Sequence, residues 1–426
     1  MTITYIGNFI DFLEFGLFTA LLPYLSQDLL GHYSPALRAE FCYLAVFAGF
    51  IGRPVGAFCL GKFGDIYGSQ RLLVFSVLGI SGASMILAFL PSQNPYIIEM
   101  IIFCRFLQGL FTGAEYSAVV VSATQSTAVR SRYQSVAIMT ASGILGVSTA
   151  QFLAFFLSFM ETGVSNWRYT FILVSLIGFC TFLKRAFSCQ KDLSPVVRSQ
   201  PESLKKYIPD IVACIIIIGF VNAMFYFINT FISTYKMIIS SKTATAEFLL
   251  NFVATSFFAL SILLWSFYLS HKDFQIFKMM KYGMLGVCLL LIPLFYAYVE
   301  VLPLWVNIIA QISFIGGVQL CTVVAISFIP RLFPSSIKIQ ACGLGFNLGI
   351  SLLGGGFPYV CLKLTEKMHT LYAPAIAAFL IIILAYYSLK KLAIRHPHIM
   401  KDRENPSYAA AYDKIVEKNL QCSYKQ

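Results

Sequence analysis

The chain has 426 residues, of which 58% are hydrophobic and 12% charged, with a formal net charge of +12. A soluble chain averages about 45–50% apolar and about 25% charged residues, so this composition cannot cover the surface of a water-soluble particle. A soluble enzyme, a disordered tail and a nucleic-acid-binding module are excluded on that ground, and the natural unit of description is the apolar stretch of about 20 residues that crosses a bilayer as a helix.

Twelve such stretches follow one another: 3–25, 41–61, 72–90, 97–122, 134–158, 168–187, 208–235, 246–270, 279–298, 303–329, 340–364 and 371–389. Backbone amides in hydrocarbon must bond one another, so these stretches are read as helices. The alternation of a membrane β-barrel is absent. The first stretch lacks a basic flank and a small-residue cleavage site, so it is read as an uncleaved span. The longest hydrophilic interior segment is 188–207, which divides the chain six plus six. The expected organisation is an all-α membrane protein: a six-helix bundle over 1–187, a linker over 188–207, a second six-helix bundle over 208–390 and a tail over 391–426. Residues 407–420 could form a short helix in that tail. No sustained heptads occur, so no coiled-coil dimeriser is expected and the chain is read as a monomer.

Charge placement tests the partition. With twelve spans both termini share a side, and the turns on that side plus the tail hold 23 of the 31 Lys and Arg residues. The opposite side holds 6, and Arg53 and Arg105 lie inside spans. This asymmetry puts both termini in the cytoplasm. It also explains the net positive charge through anionic lipid headgroups, with no nucleic-acid partner.

An ionised residue inside a span costs about 2.5–3.5 kcal/mol on insertion scales and so faces a cavity or a partner. Span one carries Asp11 and Glu14, three residues apart and therefore on one face. Span two carries Arg53. Span four carries Arg105, Gln108, Thr112 and Glu115 as one polar stripe. The second half offers amides and phenols instead: Asn222, Tyr226 and Asn229 on span seven, Asn307 and Gln311 on span ten, and Asn347 on span eleven. Asp11, Glu14 and Glu115 are candidate proton carriers, because a carboxylate that is costly to keep ionised in lipid can exchange a proton. Arg53 and Arg105 are candidate carboxylate ligands, since a guanidinium presents a two-pronged donor edge. Gln108, Tyr116, Asn222, Tyr226 and Asn347 complete the candidate cargo site. Tyr24 is a further aromatic that could hold an ammonium group. Structural ion pairs such as Arg105 with Glu115, or Arg53 with Asp11, are the competing reading of the same residues.

The eleven cysteines are scattered without a CxxC pair and read as small core or lipid-facing hydrophobes. His396 and His398 flank Pro397 in a basic tail, and no metal site or cofactor is expected. No histidine lies in the middle of a span and no nucleophile–base pair stands at depth, so an embedded enzyme is not expected.

Several stretches resemble a known family. Gly61-Lys-Phe-Gly-Asp65-Ile-Tyr-Gly68-Ser-Gln-Arg71 resembles the loop between the second and third helices of the major facilitator superfamily, and Arg105-Phe-Leu-Gln108-Gly109 resembles its fourth-helix signature. Gly7-Asn8 with Asp11 to Gly16, Phe50 to Gly56, and Gly113-Ala-Glu115-Tyr116 are similar to the metabolite–proton symporters within it, which carry proline and betaine, α-ketoglutarate or citrate. Phe333-Pro334, Gly343 to Gly349 and Gly354-Gly355 resemble that family's eleventh helix. The resemblance implies the two-bundle fold, alternating access and proton-coupled uptake of a small zwitterion or carboxylate across a bacterial plasma (inner) membrane. It implies that Gly61, Asp65, Gly68 and Arg71 belong to a gate between the bundles. An uncoupled facilitator or exporter, or a receptor that no longer transports, is the alternative on the same fold. The chain departs from the family pattern at Ile66, Ser69 and Gln70. In the second-half copy of the loop, Phe267-Tyr-Leu269-Ser270-His271-Lys272, His271 stands where Asp is expected.

Overall fold

The computed structural model describes residues 2–404 except 93, 125–128, 158–162, 192–201, 233–243, 273, 300–301, 371 and 401–402. The middle of the expected linker, most of the tail and its candidate helix therefore lie outside the described residues. The helices in order are α1 (Thr2–Ala20), α2 (Leu22–Leu30), α3 (Pro35–Tyr67), α4 (Ser69–Ala88), α5 (Ile97–Ala123), α6 (Val129–Leu157) and α7 (Gly163–Lys191), followed by a 3-10 turn at Leu204–Tyr207. Then come α8 (Ile208–Tyr226), α9 (Ala244–Leu269), α10 (Ile276–Val299), α11 (Leu304–Phe328), α12 (Lys338–Leu348), α13 (Phe357–Met368), α14 (Ala373–Arg395) and α15 (Pro397–Met400). Two short strands, β1 (Phe274–Gln275) and β2 (Arg403–Glu404), pair antiparallel.

Eleven of these helical stretches are long and apolar enough to cross a membrane, and α1 with α2 forms a twelfth that is bent by 66°. All twelve fall on the apolar stretches read from the sequence. The bend in span one was not expected. It falls at Leu21, just before Pro23, whose missing N–H leaves one rung of the helical ladder open. Two other spans leave α geometry: α8 runs into a π-helical stretch at Phe227–Ile232, and α12 joins α13 through another at Gly349–Gly354. Large apolar side chains such as Phe47, Phe75, Phe103, Leu173, Leu264 and Ile292 stand exposed around the outside, the surface that a bilayer covers.

Glycines set the closest packing in the first bundle. A Cβ on Gly56 of α3 would stand 1.7 Å from the Leu110 carbonyl oxygen of α5, and one on Gly113 of α5 would stand 2.0 Å from that of Arg53. Only hydrogen lets those two backbones approach so closely, which brings Arg53 level with the polar stripe of α5. The second bundle packs α8, α11, α12 and α14 around a large apolar core. The bundles meet along α3 with α12 and along α6 with α9. On the latter seam Ser148 and Ser256 share a hydrogen bond of 2.8 Å, and Phe152 meets Phe252 at 5.5 Å between ring centroids.

Candidate functional site

The acidic and basic side chains singled out above come together inside the first bundle. α1 supplies Asn8, Asp11 and Glu14, α3 supplies Arg53, and α5 supplies Arg105, Gln108, Thr112 and Glu115. Helices α4 and α7 add Ser76, Ser84 and Arg185. Asp11 and Glu14 are 2% exposed, Arg53 and Arg105 1%, and Glu115 0%. All of the charge here is thus removed from bulk water, and each group must find its compensation locally.

One network runs from Arg105 to Glu14. Arg105 Nη1 donates to Gln108 Oε1 at 2.7 Å, and Gln108 Nε2 donates to the Ser84 hydroxyl at 2.6 Å. Ser84 in turn donates to Glu14 Oε2. A second network holds Glu115, which accepts from the Ser76 hydroxyl and from Arg185 Nη1, the latter at 2.7 Å. The same Arg185 side chain donates to the Leu73 carbonyl at 2.7 Å and to the Thr4 carbonyl at 3.2 Å. Arg185 therefore ties α1, α4 and α5 to α7.

Between the networks lies a small hollow lined by Asp11, Glu14, Phe15, Gly49, Arg53, Ile80, Arg105, Gln108, Gly109 and Thr112. Among the described residues, Arg53 Nη2, Arg105 Nε and Nη2, Asp11 Oδ1 and Glu14 Oε1 make no hydrogen bond although all are buried. Buried polar atoms without partners are uncommon, and a group of donors and acceptors around one hollow makes it a candidate ligand site. The guanidinium faces are already occupied. Arg105 Cζ stands 3.9 Å above the Phe18 ring centroid, and Arg53 Cζ lies 5.5 Å from that of Phe15. What remains open is the Nε–Nη2 edge of Arg105 and Nη2 of Arg53, donors that can pair with a carboxylate.

The second bundle reaches Arg53, on the wall of this hollow, through Asn347 at the end of α12. Its Oδ1 accepts from Arg53 Nε at 3.4 Å, and its amide donates to the Gly343 and Gly113 carbonyls at 2.8 and 3.1 Å. Asn347 thus bridges α3, α5 and α12. Tyr116 sits between Phe12 and Phe346, each at 5.8 Å, and Tyr226 meets Phe50 at 6.3 Å, with both phenols in electrostatic reach of Arg53. Asn222 donates to the Ile218 carbonyl of its own helix at 2.9 Å and takes no part in these networks. Tyr24 packs with the apolar cluster of α1 and α2. Asn229 accepts from Thr255 at 2.9 Å, and Asn307 donates to the Leu302 carbonyl at 2.7 Å. Gln340 of α12 donates to the Phe58 carbonyl at 2.9 Å. Neither proposed ion pair, Arg105 with Glu115 or Arg53 with Asp11, is present among the described residues; the partner of Glu115 is Arg185.

The last turn of α3 makes a latch-like contact with the second bundle. Asp65 accepts two backbone hydrogen bonds from the first turn of α12, from Ile339 at 2.8 Å and Gln340 at 2.9 Å. A carboxylate there compensates amides that have no partner inside their helix, and it faces the positive end of the helix dipole. Gly68 has φ 96°, a conformation costly for any other residue, and turns the chain into α4. Gly61 packs against Gln340, where an added Cβ would stand 3.0 Å from Cα. Arg71 is exposed on α4 and stands apart from the Asp65 contact. In the second half His271 turns back on its own helix, with Nδ1 2.8 Å from the Phe267 carbonyl and 3.0 Å from the Ser270 hydroxyl. The Asp65 contact thus has no counterpart at His271 among the described residues.

Arg185, Ser76 and Ser84 were not singled out from the sequence. Arg185 sits near the end of an apolar run, where basic residues ordinarily flank a membrane, and it was counted among them. Its side chain instead points inward and is 5% exposed. The signal available was Glu115 itself, a buried carboxylate in need of a cation.

Twelve membrane-crossing helices in two packed bundles, with a charged hollow inside the first and a carboxylate-to-helix contact joining the two, define a solute carrier. The family model described as "Major Facilitator Superfamily" matches residues 4–358. The chain belongs to the major facilitator superfamily, and it is a multi-pass membrane transporter, not an enzyme. It is 24% identical to a Staphylococcus aureus protein named "Putative proline/betaine transporter", over 95% of this chain and 92% of that one. It is 21% identical to the "Ectoine/proline transporter ProP" of Corynebacterium glutamicum, over 93% and 85% of the two chains. Among solved structures, the proton:xylose symporter XylE superposes with a TM-score of 0.71 at 10% identity, covering 92% of this chain and 94% of that one. The human organic anion transporter MFSD10 superposes with a TM-score of 0.67 at 14% identity, covering 91% and 98%. These likenesses at low identity concern the fold.

Proposed function

We propose that the protein takes up a small zwitterion or carboxylate, of the proline/betaine or di- and tricarboxylate kind, together with a proton. The observation that carries this reading is the set of unpartnered guanidinium N–H groups and carboxylate oxygens around one hollow inside the first bundle. A cargo carboxylate would pair with Arg53 and Arg105, and a proton would settle on Asp11 or Glu14, which face the same hollow. Relatives named for proline and betaine support the choice of cargo. Arg53 would pass the state of the hollow to the second bundle through Asn347. In this reading Asp65 and α12 close the cytoplasmic end, with Gly61 as the close approach of α3 to α12, Gly68 as the tight turn of that latch and Arg71 on its rim. Both termini lie in the cytoplasm of a bacterial cell, the carrier sits in the plasma membrane, and it works as a monomer. The sequence halves at 188–207 would then separate the two rocking bundles.

The test is uptake by the purified protein in proteoliposomes, with labelled proline competed against betaine, α-ketoglutarate, citrate and other small carboxylates. An imposed gradient, acid outside, is expected to drive accumulation of the recognised solute above its external level. Equilibration without accumulation would instead establish the uncoupled facilitator, a reading favoured only by the His271 side of the gate. Binding without flux would establish a receptor, and both results would overturn proton coupling.

A further inference from the structure

We infer that Arg185 holds Glu115 as a fixed anion, and that this confines the mobile proton to Asp11 and Glu14. The inference rests on the proton-coupled reading above and deepens it, because it divides three acidic candidates into a structural one and two working ones.

The geometry separates them. Glu115 has both carboxylate oxygens engaged, one by Arg185 Nη1 at 2.7 Å and the other by the Ser76 hydroxyl. It does not line the hollow, whereas Asp11 and Glu14 do, and each of those keeps one oxygen without a partner. Arg185 is itself held by the Leu73 and Thr4 carbonyls, so its guanidinium cannot swing away without breaking bonds to α1 and α4. The space beside it is closed: a Cβ on Gly7 would overlap Arg185 Nη2 at 1.8 Å. Breaking such a buried pair by removing one partner is far costlier than replacing both. Asp11 on α1 faces both members of this pair as well as Glu14 and Arg53, and Ser76 on α4 bonds Glu115. Beyond this pair, Asp11 stands against Arg53 and Glu14 against Arg105. Arg185 is thus a positioning residue: it touches no cargo and acts through Glu115.

Two measurements test this. In the first, infrared titration compares wild type with Glu115→Gln in the pH range where a proton carrier must work. Glu115 is expected to add no protonated-carboxyl band; a band that rises with acid and vanishes in Glu115→Gln would overturn the inference. This readout needs no transport, so it decides the question even where coupled uptake fails. In the second, the pH profile of uptake is compared across Arg185→Gln, Glu115→Gln and the double variant. Arg185→Gln frees Glu115 to titrate and is expected to add a protonation step to the profile, which the double variant removes while restoring the wild-type shape. A wild-type profile for Arg185→Gln at normal membrane abundance would overturn the inference. So would a double variant that inserts normally but no longer couples, since that would make Glu115 a working carrier.

Discussion

Arg105 has its guanidinium face covered by Phe18 and its Nη1 engaged by Gln108, which leaves Nε and Nη2 toward the hollow. That open edge is matched to a carboxylate, and a lysine ammonium cannot reproduce it. Hydrogen bonds to a charged group are worth about 1.5–3 kcal/mol. Arg105→Lys is therefore expected to raise the KM for the recognised solute by about tenfold to a hundredfold, at unchanged membrane abundance. An unchanged KM would remove Arg105 from the cargo site. The stripe from Arg105 to Glu115 was legible in the sequence because 3-4-3 spacing puts those residues on one face of any helix. Arg185 was not, because a long basic side chain near a helix end can reach outward to headgroups or inward to a buried acid with the same local sequence. Asn222 shows the converse. It shares a helical face with Tyr226, yet its amide bonds the preceding turn of its own backbone.

At the scale of the element, the latch depends on the first turn of α12. Asp65→Asn keeps the shape of the side chain and loses the charge facing that helix end, an interaction worth about 0.3–1 kcal/mol at exposed sites and up to about 2 when partly buried. About 1 kcal/mol is a factor of roughly five in a two-state balance. Cys342 of α12 is 0% exposed behind the latch and can report its opening. As the sole cysteine, Cys342 is expected to react with a maleimide several-fold faster in Asp65→Asn than in the parent; equal rates would deny Asp65 a part in closure. Asp65 and Gly68 stood out in the sequence through the family resemblance of their loop. The two π-helical stretches were not legible there, because adding one residue to a turn leaves hydropathy untouched. Nor was the bend at Leu21, since Pro23 inside a membrane helix is compatible with a straight span.

Across the whole molecule, Asp11, Glu14 and Glu115 balance Arg53, Arg105 and Arg185, so the buried charged centre is neutral when all six are ionised. A proton entering with a singly charged carboxylate preserves that neutrality, whereas a proton entering with a zwitterion adds a charge. The membrane potential contributes about 2.3 kcal/mol per charge per 100 mV, roughly fiftyfold accumulation. An inward-negative potential is expected to drive accumulation of a zwitterion strongly and of a monocarboxylate not at all. The twelve spans that bring these groups together were visible in apolar length and in the distribution of Lys and Arg. Which side chains would meet was not, because contacts between α3, α5 and α12 depend on glycine approaches such as that of Gly56 to Leu110.

The most direct measurement is proton movement on addition of solute to proteoliposomes that have no imposed gradient, comparing wild type with the Asp11→Asn and Glu14→Gln variants. The expected result is alkalinisation of the medium by wild type in step with solute entry, and its loss with retained solute binding when the proton-carrying residue is neutralised. Solute entry with no proton movement in wild type, or unchanged proton movement in both variants, would contradict the role of the buried acidic and guanidinium groups as the coupling centre.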